Sequence, residues 1–285
     1  MKINRSDKDS VKKILRTLAS VCAVVAAVTG LSFGLALHYG FDAVIGHFDS
    51  TVWFYIFAGG IALSAVISAV CAFACRGYGF SAGFAKIPSP LCYPVAALAL
   101  FRFALFLKNV FVDHMVFSTL EKIAGILTVF VAVAFILSAT EKTNHSPLTC
   151  AMFILSALAV NFDIFASYFD FSIPVNSPIR HVTTIMQCAV LLFMIAEARL
   201  GLPEKSGRST AYFAAFVYMF TFAVCSFMAI GGAVHKLTGG EAPLDSVRLL
   251  MYFFISVVSF IRFMSVPGNL CDLPEKENKS TEKNK

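Results

Sequence analysis

The chain has few charged residues and almost no tryptophan. Asp, Glu, Lys and Arg make up 14% of its 285 residues, whereas soluble domains usually contain about 25%. Hydrophobic residues make up 58%, and a single Trp accompanies 30 Phe. An apolar excess of this size is typical of chains surrounded by lipid. We therefore expect an integral membrane protein with nearly all of its length in membrane spans.

Motifs that mark several common enzyme classes are also missing. The sequence contains no G-x-x-x-x-G-K-[ST] loop for a nucleotide phosphate and no H-E-x-x-H helix for zinc. Asp163 is the only Asp well inside an apolar run, which excludes a pair of intramembrane aspartates. We therefore expect a protein that is not an enzyme and that has no cofactor and no bound metal.

Eight apolar runs are each long enough for a membrane-spanning helix, which needs about 20 residues. Ser and Pro mark several boundaries; Ser146 and Pro147, for example, fit the N-cap and first position of the fifth helix. Gly30 and Gly34 in the first run predict a close approach to another helix of the same chain. The sequence predicts an all-α bundle of eight transmembrane helices over residues 16–38, 51–75, 87–108, 116–140, 147–169, 178–200, 210–234 and 246–266.

Lys and Arg residues are distributed unevenly between the loops. With the N-terminus inside, and with residues at span ends counted with the adjoining loop, 16 of the 23 fall on inner segments and 5 on outer segments, while Arg102 and Arg262 lie deeper within spans. Cytoplasmic loops carry such an excess, so both termini are expected in the cytoplasm. The basic segment over 1–15 and the disordered polar tail over 267–285 then flank the bundle on that side. The net charge of +6 therefore reflects topology, and we expect no nucleic acid as a partner.

One segment resembles known proteins. The run Asn176-Ser177-Pro178-Ile179-Arg180, followed by Glu197-Ala198-Arg199, resembles segments of uncharacterised multi-span bacterial membrane proteins, over about one helix and its flanks. The resemblance implies no activity. Together with the short loops and lysine-rich tails, it favours a bacterial cytoplasmic membrane as the location.

Two charged residues are expected to pair near the outer surface. Arg102 and Asp163 each lie six residues before the outer end of a span, in spans that run in the same direction. A lone charge inside a membrane is costly, so we predict a salt bridge between them. The bridge could be static and fix helix packing. Alternatively, Asp163 could take up a proton or a cation and release Arg102 to bind an anionic solute.

Further polar residues are predicted to extend this network. Asn161 and Asp163 project to nearly opposite faces of the fifth helix, which predicts a central position for that helix. Gln187 lies at a depth similar to that of Asn161, and we expect a hydrogen bond between them. Candidate members contributed by the start of the sixth helix are His181, Thr183 and Thr184.

A second pair is predicted near the inner surface. Glu197 and Arg262 lie at similar depths near the inner ends of the sixth and eighth spans. The two side chains could pair, or Arg262 could extend to the lipid headgroups.

The sequence leaves three classes of function open. The polar groups at depth favour a permease-like or small-solute-binding protein, whereas the small-residue packing faces favour a non-catalytic sensor, scaffold or assembly partner. A membrane enzyme is the least favoured class. A polar cavity that reaches into the bundle would favour the first class, and a solid core would favour the second. The expected partners are the lipid bilayer together with a small solute or another membrane protein.

Overall fold

The computed structural model describes residues 5–42, 47–49, 51–80, 87–141, 145–169, 178–200, 208–240 and 246–272. Eight helices in this part of the chain are each long and apolar enough to cross a membrane, which indicates a multi-pass membrane protein. The predicted all-α bundle of eight apolar helices is thus confirmed. The helices are α1 Arg5–Tyr39, α2 Val52–Ala74, α3 Ser89–Phe111, α4 Thr119–Thr140, α5 Pro147–Tyr168, α6 Pro178–Leu200, α7 Arg208–Leu237 and α8 Ser246–Asn269.

Four short strands connect or follow the helices. They are β1 Phe41–Asp42, β2 His47–Phe48, β3 Tyr78–Phe80 and β4 Leu270–Asp272. β1 and β2 pair antiparallel in the connection between α1 and α2. β3 and β4 also pair antiparallel, which joins the end of α2 to the end of α8.

α1 begins earlier and α8 ends later than the sequence predicts. α1 begins at Arg5 and includes most of the predicted basic segment, because Leu15 and Ala19 already pack into the core. α8 passes through Pro267, since a proline in the last turn removes only one helical hydrogen bond. The predicted disordered tail therefore starts too early, because residues 267–272 form the end of α8 and β4. Residues 273–285 lie outside the described part of the chain.

Side-chain caps fix where α4 and α5 begin. Ser118 accepts a hydrogen bond from the backbone N–H of Glu121, and the Glu121 carboxylate accepts one from the Ser118 N–H. This reciprocal capping box satisfies two of the donors that a helix start leaves unpaired. Ser146 caps α5 through the Thr149 N–H, and Pro147 occupies the first turn, as the sequence predicts.

The most buried helix is α7, and it packs against α1, α2, α6 and α8. The predicted central position of α5 is therefore wrong. α5 packs mainly against α4 and α6, and its Asn161 lies in a groove beside the exposed side chains of Ile154 and Leu158. Small residues along α7, such as Ala214, Ala223 and Gly231, allow neighbours to approach on several sides.

Glycines bring α1 and α7 close together, within one chain. A Cβ atom on Gly30 would lie 2.7 Å from Ile230 Cβ. A Cβ atom on Gly34 would lie 2.6 Å from Val234 Cβ and 2.9 Å from the Gly231 carbonyl oxygen. These distances leave no room for a side chain, so the spacing Gly30-x-x-x-Gly34 determines the contact between the two helices.

Side-chain contacts show in which direction α3 and α5 run through the bundle. Ser89 at the start of α3 donates a hydrogen bond to the Ala139 carbonyl near the end of α4. Arg102 and Asp163, in the second halves of α3 and α5, both lie near the start of α8. α3 and α5 therefore run from the end of the bundle at which α8 finishes towards the end at which α8 begins.

We expect Gly34→Ala to destabilise the fold by about 1–3 kcal/mol, since the added methyl group meets backbone as well as side-chain atoms of α7. Gly59→Ala in α2 is the matched control, because a Cβ atom there has no neighbour within 4 Å. The control should leave stability unchanged or raise it by up to about 1 kcal/mol through helix propensity. Unfolding of the detergent-solubilised protein measures both, and equal effects would contradict the assigned α1–α7 contact.

Candidate functional site

Four side chains from four helices converge near the end of the bundle at which α8 begins. Arg102 Nη2 lies 3.1 Å from Asp163 Oδ1, and Arg248 Nη2 lies 3.0 Å from the same oxygen. Gln187 Nε2 donates a hydrogen bond to Asp163 Oδ2 at 3.0 Å. We refer to Arg102, Asp163, Gln187 and Arg248 as the aspartate cluster. In it, two guanidinium groups share one carboxylate.

The burial of these groups differs. The side chain of Asp163 is 12% exposed and Gln187 is fully buried, whereas the side chains of Arg102 and Arg248 are 21% and 23% exposed. The carboxylate is thus held inside the bundle, and the two arginines reach it from the surface. Because a buried carboxylate needs charged or hydrogen-bonding partners, this arrangement explains how Asp163 is tolerated in an apolar helix.

The structure brings Arg102 and Asp163 together but gives Gln187 other partners than the sequence predicts. Gln187 donates to Asp163 and to Ser167, and not to Asn161. The reason is geometric: Asn161 lies two residues from Asp163, on a different face of α5, in a groove at the bundle surface.

The start of α6 does not complete the cluster in the predicted way. Thr184 donates its hydroxyl hydrogen to the Arg180 carbonyl of its own helix, and His181 is exposed. Thr183 is half-buried. Within the described chain, the hydrogen-bond partners of Asp163 are Arg102, Gln187 and Arg248.

Arg248 was counted in the sequence analysis only among the five outer Lys and Arg residues, and its role in the cluster was missed. It lies in the first turn of α8, two residues after Ser246. An arginine in the first turn of a span could have suggested the contact, since its long side chain can reach the depth of Asp163, five residues before the end of α5. The sequence does not reveal, however, that α8 is the neighbour of α3.

A cleft leads from the surface of the bundle to the aspartate cluster. Its volume is about 320 Å³, and it lies between α3, α4, α5 and α8. Arg102, Asp163 and Arg248 border it, and its other walls are mostly apolar. Gly125 shapes one wall, because a Cβ atom there would lie 2.6 Å from the Phe106 ring. The remaining lining residues are Leu105, Asn109, Phe117, Glu121, Ala124, Thr128 and Val247.

A second, smaller cavity lies deeper in the bundle and shares three wall residues with the cleft, namely Arg102, Thr128 and Asp163. Its volume of about 20 Å³ has room for about one water molecule. Tyr252 and Met194 form part of its deep wall. The cleft and the smaller cavity therefore lie on either side of these three polar side chains.

A second cluster of charged side chains lies near the end of the bundle at which α8 finishes. Arg262 Nε donates to Glu197 Oε1 at 2.9 Å, and Arg262 Nη2 also donates to Glu197 Oε2. His145 Nε2 lies 3.0 Å from Glu197 Oε2, and His145 Nδ1 lies 2.8 Å from Glu141 Oε2. We refer to Glu141, His145, Glu197 and Arg262 as the glutamate cluster. The structure thus pairs Glu197 with Arg262 and leaves Arg262 only 1% exposed, so it does not extend to the surface.

His145 and Glu141 were missed by the sequence analysis, which placed them at a loop edge. They lie four residues apart, directly before the cap of α5. Glu141 Oε1 also accepts hydrogen bonds from the Ser146 N–H and the Thr149 hydroxyl. Burial raises the pKa of Glu141, but the hydrogen bonds from Thr149, Ser146 and His145 outweigh burial, so its pKa lies below the ordinary value.

No arrangement for a metal ion is present among the described residues. No group of three or more His, Cys, Asp and Glu side chains in this part of the chain is placed to hold one. In the glutamate cluster, the carboxylate of Glu197 is instead directed at Arg262 and His145.

Residues 79–83 match one further motif, G-x-S-x-G. In hydrolases this motif forms a sharp turn between a sheet strand and a helix. Here Gly79 and Phe80 lie in β3, which belongs to a two-stranded antiparallel sheet with β4. Ser81 lies outside the described residues. The strand that leads into the motif therefore differs from the sheet strand of a hydrolase.

Comparison with protein-family models, with curated proteins and with solved structures finds no match to this chain. Its function must therefore be argued from the two clusters and the cleft.

We expect Asp163→Asn to lower the free energy of unfolding by about 3–5 kcal/mol, because it leaves Arg102 and Arg248 beside a neutral amide. The double variant Arg102→Gln/Asp163→Asn should recover only part of the loss, since Arg248 still faces the neutral amide. Asp113→Asn, which breaks an exposed pair with Lys108, should cost less than about 1 kcal/mol. Detergent-based unfolding titrations measure all three. An Asp163→Asn variant as stable as the parent would disprove the assigned cluster.

The stabilising contribution of Glu141 should depend on pH. Because its folded pKa is depressed, the ionised carboxylate stabilises the fold above the ordinary Glu pKa of about 4.3, and this stabilisation is lost as the pH falls through the folded value. Glu141→Gln lacks the contribution at every pH. The difference in melting temperature between parent and variant should therefore be largest near neutral pH and shrink on acidification. A difference that stays constant between pH 7 and pH 3 would contradict this assignment.

Proposed function

We propose that the protein is a non-enzymatic, permease-like membrane protein that binds a small solute in the cleft bordered by Arg102, Asp163 and Arg248. The observation that carries the proposal is the cleft itself, about 320 Å³ in volume, with three charged side chains on its wall. Solute sites in proteins are concave, mostly apolar and provided with a few convergent polar groups. The cleft combines all three properties.

The cleft also favours this function over a scaffold or assembly role. A scaffold needs only a packed core and an exposed surface, and it gains nothing from charged groups around an internal cavity. Charged residues inside membrane proteins commonly mark the path or the site of a solute. The smaller cavity beyond Asp163 supports the same assignment, because it extends polar surface towards the interior.

We place both termini on the cytoplasmic side of a cell membrane, in line with the 16 Lys and Arg residues on the predicted inner segments. The start of α8, and with it the cleft, then faces the outside of the cell. The lysine-rich tails and short loops support a bacterial cytoplasmic membrane. Fusion of a cytoplasm-restricted fluorescent reporter to the C-terminus tests this placement, and a dark fusion would contradict it.

A ligand screen with a blocked cleft tests solute binding. The purified protein is screened by thermal shift against small anionic, neutral and cationic metabolites. Ala124→Leu places a larger side chain on the cleft wall, and Ala151→Leu adds the same side chain at an exposed position of α5 as the control. We expect at least one compound that stabilises the parent and the control but not Ala124→Leu. A screen without hits, or hits that survive Ala124→Leu unchanged, would overturn the proposal.

A further inference from the structure

Arginine dominates the chemistry of the cleft next to Asp163. Arg102 and Arg248 both donate to one oxygen of this carboxylate. The other acidic residue on the wall is Glu121, which is exposed and accepts a hydrogen bond from the Ser118 N–H at 2.7 Å. The capping box holds Glu121 at the first turn of α4. The inner part of the cleft therefore holds two guanidinium groups and one carboxylate.

We propose that the cleft binds a small solute through an oxyanion group, such as a carboxylate or a phosphate, and that Asp163 takes up a proton as this group binds. The inference rests on the proposed function, since it names the solute class and the coupling for the same cleft. It adds Arg248 as a second anion-binding arginine.

Geometry supports the arginines as oxyanion ligands. A guanidinium group has five N–H donors in a planar fork that matches an oxyanion. In the described part of the chain, Arg102 contacts Asp163 through Nη2 alone, so its other N–H groups can bind a second oxyanion. Arg102 borders both the cleft and the smaller cavity. An oxyanion beside it would be enclosed largely by protein, where hydrogen bonds to charged groups are strong.

Competition for the guanidinium N–H donors, which now hold Asp163, explains why a proton should accompany the anion. Two arginines and one ionised aspartate carry a formal charge of +1. An added oxyanion would repel the Asp163 carboxylate a few ångströms away. If a proton from solution binds an Asp163 oxygen, the repulsion disappears and the formal charge of the site remains +1. No covalent bond changes except the O–H bond formed on Asp163.

Groups from several neighbouring helices influence whether Asp163 is ionised or protonated. Arg102 and Arg248 favour its ionised form, and so does the hydrogen bond from Gln187. A solute oxyanion that accepts hydrogen bonds from these arginines in place of Asp163 therefore shifts Asp163 towards its protonated form. The charged, titratable or polar groups that face Asp163 are Arg102 of α3, Glu121 of α4, Gln187 of α6, and Arg248 and Tyr252 of α8.

Binding of small oxyanions to the purified full-length protein tests the inference. The probes are acetate, methanesulfonate and methanesulfonamide. Methanesulfonate stays ionised at all pH values used, and methanesulfonamide is its neutral isostere. We expect saturable binding of at least one of the two oxyanions and no binding of methanesulfonamide. In the pH range where Asp163 is ionised in the free protein and protonated in the complex, the Kd should rise about tenfold per pH unit, because one proton accompanies each anion. Arg102→Gln should weaken binding by about tenfold or more, whereas Arg76→Gln, at an exposed position, should not.

The outcomes separate this inference from the proposed function. Oxyanion binding that is lost in Arg102→Gln and Ala124→Leu and that weakens with rising pH supports the inference. Binding that persists in both variants, or that does not depend on pH in the parent, overturns it. If a neutral or cationic solute binds in the cleft and the oxyanions do not, the inference is overturned but the proposed function stands. Failure of every solute overturns both. The pH dependence is measured on the parent, so the test does not depend on the folding of an Asp163 variant.

Discussion

Each charged side chain inside this apolar bundle needs a partner, and the partners determine which helices meet at each end. α8 carries a partly exposed arginine, Arg248, near its start and a buried one, Arg262, near its end, about 21 Å apart along the helix axis. The first is paired with Asp163 of α5 and the second with Glu197 of α6. The ion pairs therefore link α8 to α5 and α6 at two levels, whereas α7, α3 and α1 pack directly against α8.

The two clusters differ in charge and in access, and the difference separates structural from functional roles. In the glutamate cluster, Glu197 is fully buried and accepts from Arg262 and from His145, which bridges to Glu141. This cluster is closed and rich in carboxylate, as expected of a site that fixes packing. In the aspartate cluster, two partly exposed arginines border a cleft. A partner could replace Asp163 on these arginines without first opening the bundle.

The amount that could be predicted from the sequence differs between the fold and the site. The apolar runs predict eight helices because length and hydropathy are local properties, and equal depth predicts the Arg102–Asp163 and Glu197–Arg262 contacts. The neighbours of each helix could not be predicted, since eight helices of similar apolarity have no marker of their order in the bundle. For this reason α5 was placed centrally in place of α7, and Gln187 was paired with Asn161 in place of Asp163. Arg248 and His145 were missed because both lie at helix boundaries, where the sequence suggested solvent.

Solute binding in the cleft requires that water reaches the aspartate cluster through it. The accessibility of introduced cysteines tests this requirement most directly. Thr128 borders both the cleft and the smaller cavity, whereas Ile126, two residues away on α4, is exposed on the bundle surface that lipid would cover. Each is replaced by Cys, and the increase in labelling by a small charged thiosulfonate over the parent chain is measured in lipid vesicles. The account predicts that Thr128→Cys is labelled and Ile126→Cys is not. Labelling of Ile126→Cys alone, or of neither variant before denaturation, would contradict it.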